Sequence, residues 1–239
     1  WSPILILDTN NFGYEIFIKI WSTMSEITKG YWFVAVQDVL KPDVWKSCLP
    51  AWEQYVASSN GTCNPIYFGP PAATFESGIA KTMAIVEFPS LDQATNVRAN
   101  DRAYNPGMIE ADGTPVENKV IRDFRITDIP SGWMKPGHGY WIVWVREIKD
   151  KESLAKVMPV WEEYVASGAC TVHHLRPPHA IYEDGRMLPL AVCEFPSLQA
   201  AIDARNSKEY VQDVIGAAGK PVEEIATRDF RIIEASNTN

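Results

Sequence analysis

The chain has 239 residues, 46% of them hydrophobic and 22% charged, a balance that excludes disorder and a coiled coil and fits one large or two small domains. Acidic residues outnumber basic ones 30 to 22, and the net charge of -8 leaves no basic surplus for phosphates, so nucleic acid and a membrane surface are set aside as partners. Four cysteines (Cys48, Cys63, Cys170, Cys193) lack C-x-x-C spacing and are too sparse for a disulfide scaffold; read as buried free thiols, they place the chain in the cytoplasm.

Residues 1–28 read as an N-terminal extension. Residues 4–7 and 15–21 flank the turn-rich Asp8-Thr9-Asn10-Asn11-Phe12-Gly13, the pattern of a short hairpin, and Asp8, Asn10 and Asn11 break the apolar stretch a secretory signal needs. Met24 would be a natural start for the repeats beyond it. A first repeat spans residues 29–128. Residues 31–36 are aromatic and β-branched, as strands are, and Asp43 opens a helix. A second strand at 66–68 closes on Pro70-Pro71, and a third at 83–88 stops at Pro89. Ser90 then caps a second helix, and residues 124–126 form a last strand.

After a linker at 129–138 the same order returns over 139–235, leaving a tail at 236–239. Gly30-Tyr31-Trp32 recurs as Gly139-Tyr140-Trp141 at an offset of 109. Glu87-Phe88-Pro89-Ser90-Leu91 recurs as Glu194-Phe195-Pro196-Ser197-Leu198, and Arg122-Asp123-Phe124-Arg125-Ile126 as Arg228-Asp229-Phe230-Arg231-Ile232. Collinear matches with so little drift indicate a tandem duplication. In the second copy Val157, Val160, Trp161, Tyr164 and Val165 make the apolar stripe of the first helix. A hairpin through Glu183-Asp184-Gly185 leads to the third strand, and Tyr210 to Ile215 prolong the stripe of the second helix behind Ser197. Each copy is βαββαβ, the ferredoxin-like split βαβ of an α+β protein.

These runs, with the Asn206-Ser207-Lys208-Glu209-Tyr210 segment, resemble domain-of-unknown-function family 1330, within the dimeric α+β barrel superfamily. The likeness covers nearly all of 29–234, once per copy; the first copy departs at Asn100-Asp101-Arg102-Ala103-Tyr104 and has Gly69 where the second has Arg176. Members of that family are usually single domains that pair sheet to sheet, so the resemblance implies both halves of such a dimer in one chain, forming one intramolecular pseudo-dimeric α+β barrel. It also implies a small, fairly apolar or aromatic ligand between sheet and helices, and leaves further self-association into a homo-oligomer open.

Candidate site residues fall into two sets. Trp52 with Trp161 and Tyr55 with Tyr164 recur on one face of the first helix, where they either pack on the sheet or, together with Trp141, line a pocket. Glu87 and Glu194 end the third strand, where a carboxylate needs a partner, and an ion pair with Arg122/Arg228 or Arg98/Arg205 is expected. The second set occurs in one copy only. His173, His174 and His179 cluster with Arg176 where the first copy has Ile66, Tyr67, Ala72 and Gly69; strand alternation puts His174 and Arg176 on one face and His173 on the other. The catalytic candidates are His174 as general base, Arg176 as oxyanion anchor, Tyr164 and Glu194; the ligand-binding candidates are Trp141, Trp161, Tyr55, Trp52, Arg205 and Arg228. No metal is expected, because adjacent strand histidines diverge, and no cofactor is expected, because nucleotide, serine-hydrolase and zinc-protease motifs are missing; the superfamily resemblance leaves haem open, since some members hold it by one histidine, but nothing here selects that ligand. The expected activity is cofactor-independent proton transfer on a small molecule, as in isomerases, cyclases, lyases or cofactorless oxygenases. The alternative is a non-catalytic binding or assembly protein.

Overall fold

The runs Tyr31–Val36 and Tyr140–Val145 are apolar at almost every position, the pattern of strands buried on both faces, and both become central strands. The computed structural model describes residues 27–104, 110 and 112–236, so the hairpin expected within residues 4–21 lies outside the described residues. The first half contains β1 (Thr28–Val39), α1 (Pro42–Ser58), β2 (Asn64–Gly69), β3 (Ala73–Glu76), β4 (Met83–Phe88), α2 (Leu91–Asn100) and β5 (Val120–Pro130). The second repeats that order as β6 (Gly139–Ile148), α3 (Lys151–Ala166), β7 (Thr171–Arg176), β8 (Ala180–Glu183), β9 (Leu190–Phe195), α4 (Leu198–Asn206) and β10 (Ala226–Glu234).

Two antiparallel five-stranded sheets result, ordered β2-β4-β1-β5-β8 and β3-β10-β6-β9-β7. The fold is the expected α+β arrangement of two such units with facing sheets, with two differences. Each half has one strand more than βαββαβ, and that strand leaves its own half: β3 pairs with β10 and β8 with β5, so each sheet is finished by the other half. Glu183-Asp184-Gly185 therefore ends an exchanged strand instead of turning a hairpin. Moreover, among the described residues no ladder joins the sheets, which lie face to face without closing into one barrel.

Strand alternation distributes the side chains into three layers. Tyr31, Phe33 and Ala35 meet Tyr140, Ile142 and Trp144 in a core between the sheets. Trp32, Val34 and Val36 face α1 and α2, and Trp141 and Val143 face α3 and α4. The two buried indoles donate to the second helix of their half, Trp32 Nε1 to Ala94 O and Trp141 Nε1 to Ala201 O, each at 2.8 Å. Ser90 and Ser197 cap as expected, accepting from Gln93 N and Ala200 N at 3.1 Å. The N-cap turns press on Gly30 and Gly139, where any Cβ would collide with the Ser90 or Ser197 carbonyl. The second helix is shorter than its stripe suggested: it stops at Asn206, and Glu209–Val214 forms a separate π-helical turn. No helix among the described residues is long and apolar enough to cross a membrane.

Candidate functional site

Exchange of β3 and β8 carries one carboxylate into the helix-side core of the opposite half. Glu183 binds Arg122 in two places, Nε to Oε2 and Nη2 to Oε1 at 2.6 Å, and accepts from Arg98 Nη2 at 3.2 Å. Glu76 does the same with Arg228, at 2.6 and 2.5 Å, and with Arg205 at 2.9 Å. The expectation that Glu87 and Glu194 would hold these arginines is thus corrected. Glu87 instead accepts from Lys29 Nζ at 2.6 Å and Tyr31 OH at 2.8 Å, because its strand position faces the other sheet. Both Glu76 and Glu183 sit in the left-handed region, at φ 54° and 56°, a conformation costly for a bulky residue and sustained here by the bidentate pairs. The glycine two residues on, Gly78 or Gly185, has no room for a Cβ against the Phe230 or Phe124 carbonyl.

Aromatic rings surround each pair. In the first half Tyr104 lies 4.9 Å from Trp32, 5.6 Å from Tyr55 and 6.5 Å from Trp52, between ring centroids, and the Arg98 guanidinium sits 4.3 Å over the Tyr182 ring. Tyr55 OH donates to Asp101 Oδ2 at 2.7 Å. Burial holds the Tyr104 phenol above its usual range. Burial alone would lower the Arg122 guanidinium, but Glu183 and Tyr104 outweigh it, so Arg122 stays cationic. Beneath α1 these groups border a largely apolar cleft of about 60 Å³, lined by Trp32, Trp45, Trp52, Phe68, Tyr104 and Arg122 among others. Among the described residues Arg122 is its one charged lining group, and the guanidinium lies 5.3 Å over the Trp45 ring.

The candidates named from sequence occupy four places. Trp141, Trp161, Tyr164, Arg205 and Arg228 come together in the second half, the three rings 4.8, 6.4 and 6.0 Å from Tyr210 and Arg205 5.3 Å over it. Burial pushes the Tyr164 phenol up to about 12, which suits packing or donation better than proton abstraction at neutral pH. Trp52 and Tyr55 belong to the first-half cluster around Tyr104, and Trp52 lines the cleft.

His174 and Arg176 lie apart from both clusters, where β7 approaches β5. His174 is buried with Nε2 3.3 Å from Thr127 Oγ1, and burial pulls its imidazole down to about 3. Arg176 pairs with Asp128, and His179 Nε2 lies 2.8 Å from the same carboxylate. Burial would raise Asp128, but His179 and Arg176 outweigh it and bring it to about 2. A β-bulge between Val172 and His174 breaks the simple alternation, and His173 reaches Glu194 and the Trp133 ring.

Glu194 faces the inter-sheet layer. His173 Nε2 lies 2.6 Å from its Oε2, Lys135 Nζ donates to Oε1 at 2.7 Å, and His138 Nδ1 is 2.7 Å away but poorly aligned for a hydrogen bond. Burial opposes ionisation there, and Lys135 and His173 overcome it, leaving the carboxyl below its ordinary value. Among the described residues no group of three His, Cys, Asp or Glu side chains is arranged to hold a metal ion.

Sequence reasoning missed Glu76, Glu183, Tyr104 and Trp45. A signal existed for the first two, since Glu76-Ser77-Gly78 and Glu183-Asp184-Gly185 repeat at the offset of 107 that relates the flanking runs.

No protein-family model matches the chain, so the likeness to family 1330 rests on the sequence runs alone, and no curated protein matches it either. Among solved structures the chain is similar to an anthrone oxidase-like protein, at 12% identity and TM-score 0.49, over 89% of this chain and 93% of the other. It is also similar to a mutant chlorite dismutase from Candidatus Nitrospira defluvii, at 10% identity and TM-score 0.45, over 89% and 92%.

Proposed function

We propose that the chain is an enzyme acting on a small, largely apolar molecule held in the cleft beneath α1, by proton-transfer chemistry that needs no cofactor. The observation that carries this reading is a buried guanidinium, Arg122, lining an otherwise apolar space beside a buried phenol, Tyr104. Small-molecule sites have this composition: apolar walls give affinity, and a few fixed polar groups give orientation. Tyr104, kept neutral by burial, and Arg122, kept cationic by Glu183, can both donate to one oxygen of a bound molecule and stabilise negative charge as it develops there.

A specific observation favours a second reading, that of a binding protein without catalysis. Among the described residues no carboxylate or imidazole lines the cleft, so the protein offers no base there and the proton would have to leave to solvent or to a co-substrate.

Native mass spectrometry of the purified chain, followed by denaturing extraction, tests the common part of both readings. The expected result is a small apolar molecule in stoichiometric amount, which also identifies a substrate class for assay. A bare chain mass that no apolar compound shifts would remove the ligand site. With a ligand in hand, Tyr104→Phe separates the two: an enzyme loses turnover at nearly unchanged affinity, whereas a binding protein has no turnover to lose.

A further inference from the structure

We infer that the chain carries one ligand site and not two, and that Trp45 and Phe68 make that site selective for flat aromatic molecules. This deepens the proposed function of the cleft and rests on it. The two halves place equivalent residues at equivalent positions of their elements, Trp52 matching Trp161 and Arg122 matching Arg228. Several lining positions differ, and at two of them an aromatic ring in the first half stands against an aliphatic side chain in the second. Trp45, the fourth residue of α1, corresponds to Leu154, the fourth of α3. Phe68, opposite Ala84 on β4, corresponds to Leu175, opposite Ala191 on β9.

These exchanges change what each space can hold. In the first half the Trp45 ring is backed by the Arg122 guanidinium, which fixes the ring as a wall and polarises it. In the second half Leu154 packs against the core containing Trp141, Tyr210 and Val214, as Trp45 does against that containing Trp32 and Tyr104, but it offers no ring to Arg228. Size sets the rest. A dry apolar cavity of about 150 Å³ accommodates benzene, so a cleft of about 60 Å³ takes only one edge of a ring system. The remainder must lie at the mouth, where Phe68 is 50% exposed although it is a large apolar side chain in a lining position. A two-ring planar molecule can bury one edge beside Trp45 and rest its other ring on Phe68. A saturated molecule of equal size buries similar area but forfeits the ring–ring contacts.

The probes are 2-naphthol and its saturated counterpart 2-decalol, titrated calorimetrically into the intact chain. One equivalent of 2-naphthol per chain is expected, bound about three- to tenfold more tightly than 2-decalol. Trp45→Leu, which writes the second half's residue into the first, should abolish that preference, and the exposed Phe68→Leu should weaken it without changing the thermal midpoint. Two equivalents per chain, or equal affinity for both probes, would overturn the inference while leaving a small-molecule site in place. Binding of neither probe up to its solubility limit would overturn both.

Discussion

His174 illustrates how one side chain ties burial to acid sensitivity. In the unfolded chain an imidazole titrates near about 6.5, whereas burial holds the folded His174 near about 3, with Arg176 and His179 also opposing its charge and Asp128 favouring it. Between those values the unfolded chain binds a proton that the folded chain refuses. The contribution of His174 is therefore whole above about pH 6.5 and shrinks as pH falls towards about 3, by at most about 1.4 kcal/mol per pH unit. Asp128 has the opposite charge chemistry and a separate window: its contribution is whole above about pH 4 and is lost as pH falls through about 2. Urea midpoints of the parent chain should thus fall steeply from pH 6.5 to 4.5, and those of His174→Asn should fall less; parallel curves would show that some other group controls the acid limb. The glycines of the repeated Gly-Tyr-Trp runs act at the same scale. Gly30→Ala drives a Cβ into the Ser90 carbonyl and forces the α2 cap off the strand, and a drop in thermal midpoint larger than that of Gly69→Ala, which has space, is expected.

Elements were legible where short-range chemistry decides them. The central strands declared themselves because both faces are buried, and the second helices because a capping serine follows a proline that ends a strand. Ser90→Ala and Ser197→Ala should each cost about 1 kcal/mol in urea denaturation, as lost caps do. What stayed hidden was β3 and β8. Each is four residues long, follows two prolines, and finds its partner about 150 or 60 positions away, so no local pattern announces it. The candidate site was half legible for the same reason: Trp52 and Arg122 stood out as repeated residues, whereas Glu183 reaches Arg122 only through the exchange. Removing the Glu183 charge leaves Arg98 and Arg122 buried with their shared carboxylate gone, and losing one side of a buried ion pair costs about 3–5 kcal/mol. Glu183→Gln and Glu76→Gln should each lower stability to that degree in urea, while Glu53→Gln, exposed on α1, should do nothing measurable. Equal small effects at all three positions would mean that the exchanged strands are held by backbone pairing alone.

At the scale of the molecule, two guanidiniums reinforce what the exchanged strands begin. Arg125 rises from the first sheet and donates to the carbonyls of Leu188, Pro189 and Val145, at 2.6, 3.1 and 2.8 Å, near the end of β6 and the start of β9 in the second. Arg231 crosses the other way to Lys81 and Val36, at 2.9 and 3.0 Å. Both are fully buried, and each is neutralised by the aspartate two residues before it on its own strand, Asp123 or Asp229. A half cut from its partner therefore loses an edge strand, exposes the apolar inter-sheet face, and leaves one arginine, Arg125 or Arg231, inside with its carbonyl partners missing. Burial of the aromatic inter-sheet core cannot be recovered within one half, since its rings come alternately from β1 and β6. Residues 1–130 and 131–239, produced separately, should each lack a cooperative thermal transition, and mixing them should restore one together with a single heterodimeric species by size-exclusion chromatography. A sharp, independent melt in either fragment would show that the halves are separate domains resting against each other, and the exchange of β3 and β8 would then be an ornament of the fold and not its lock.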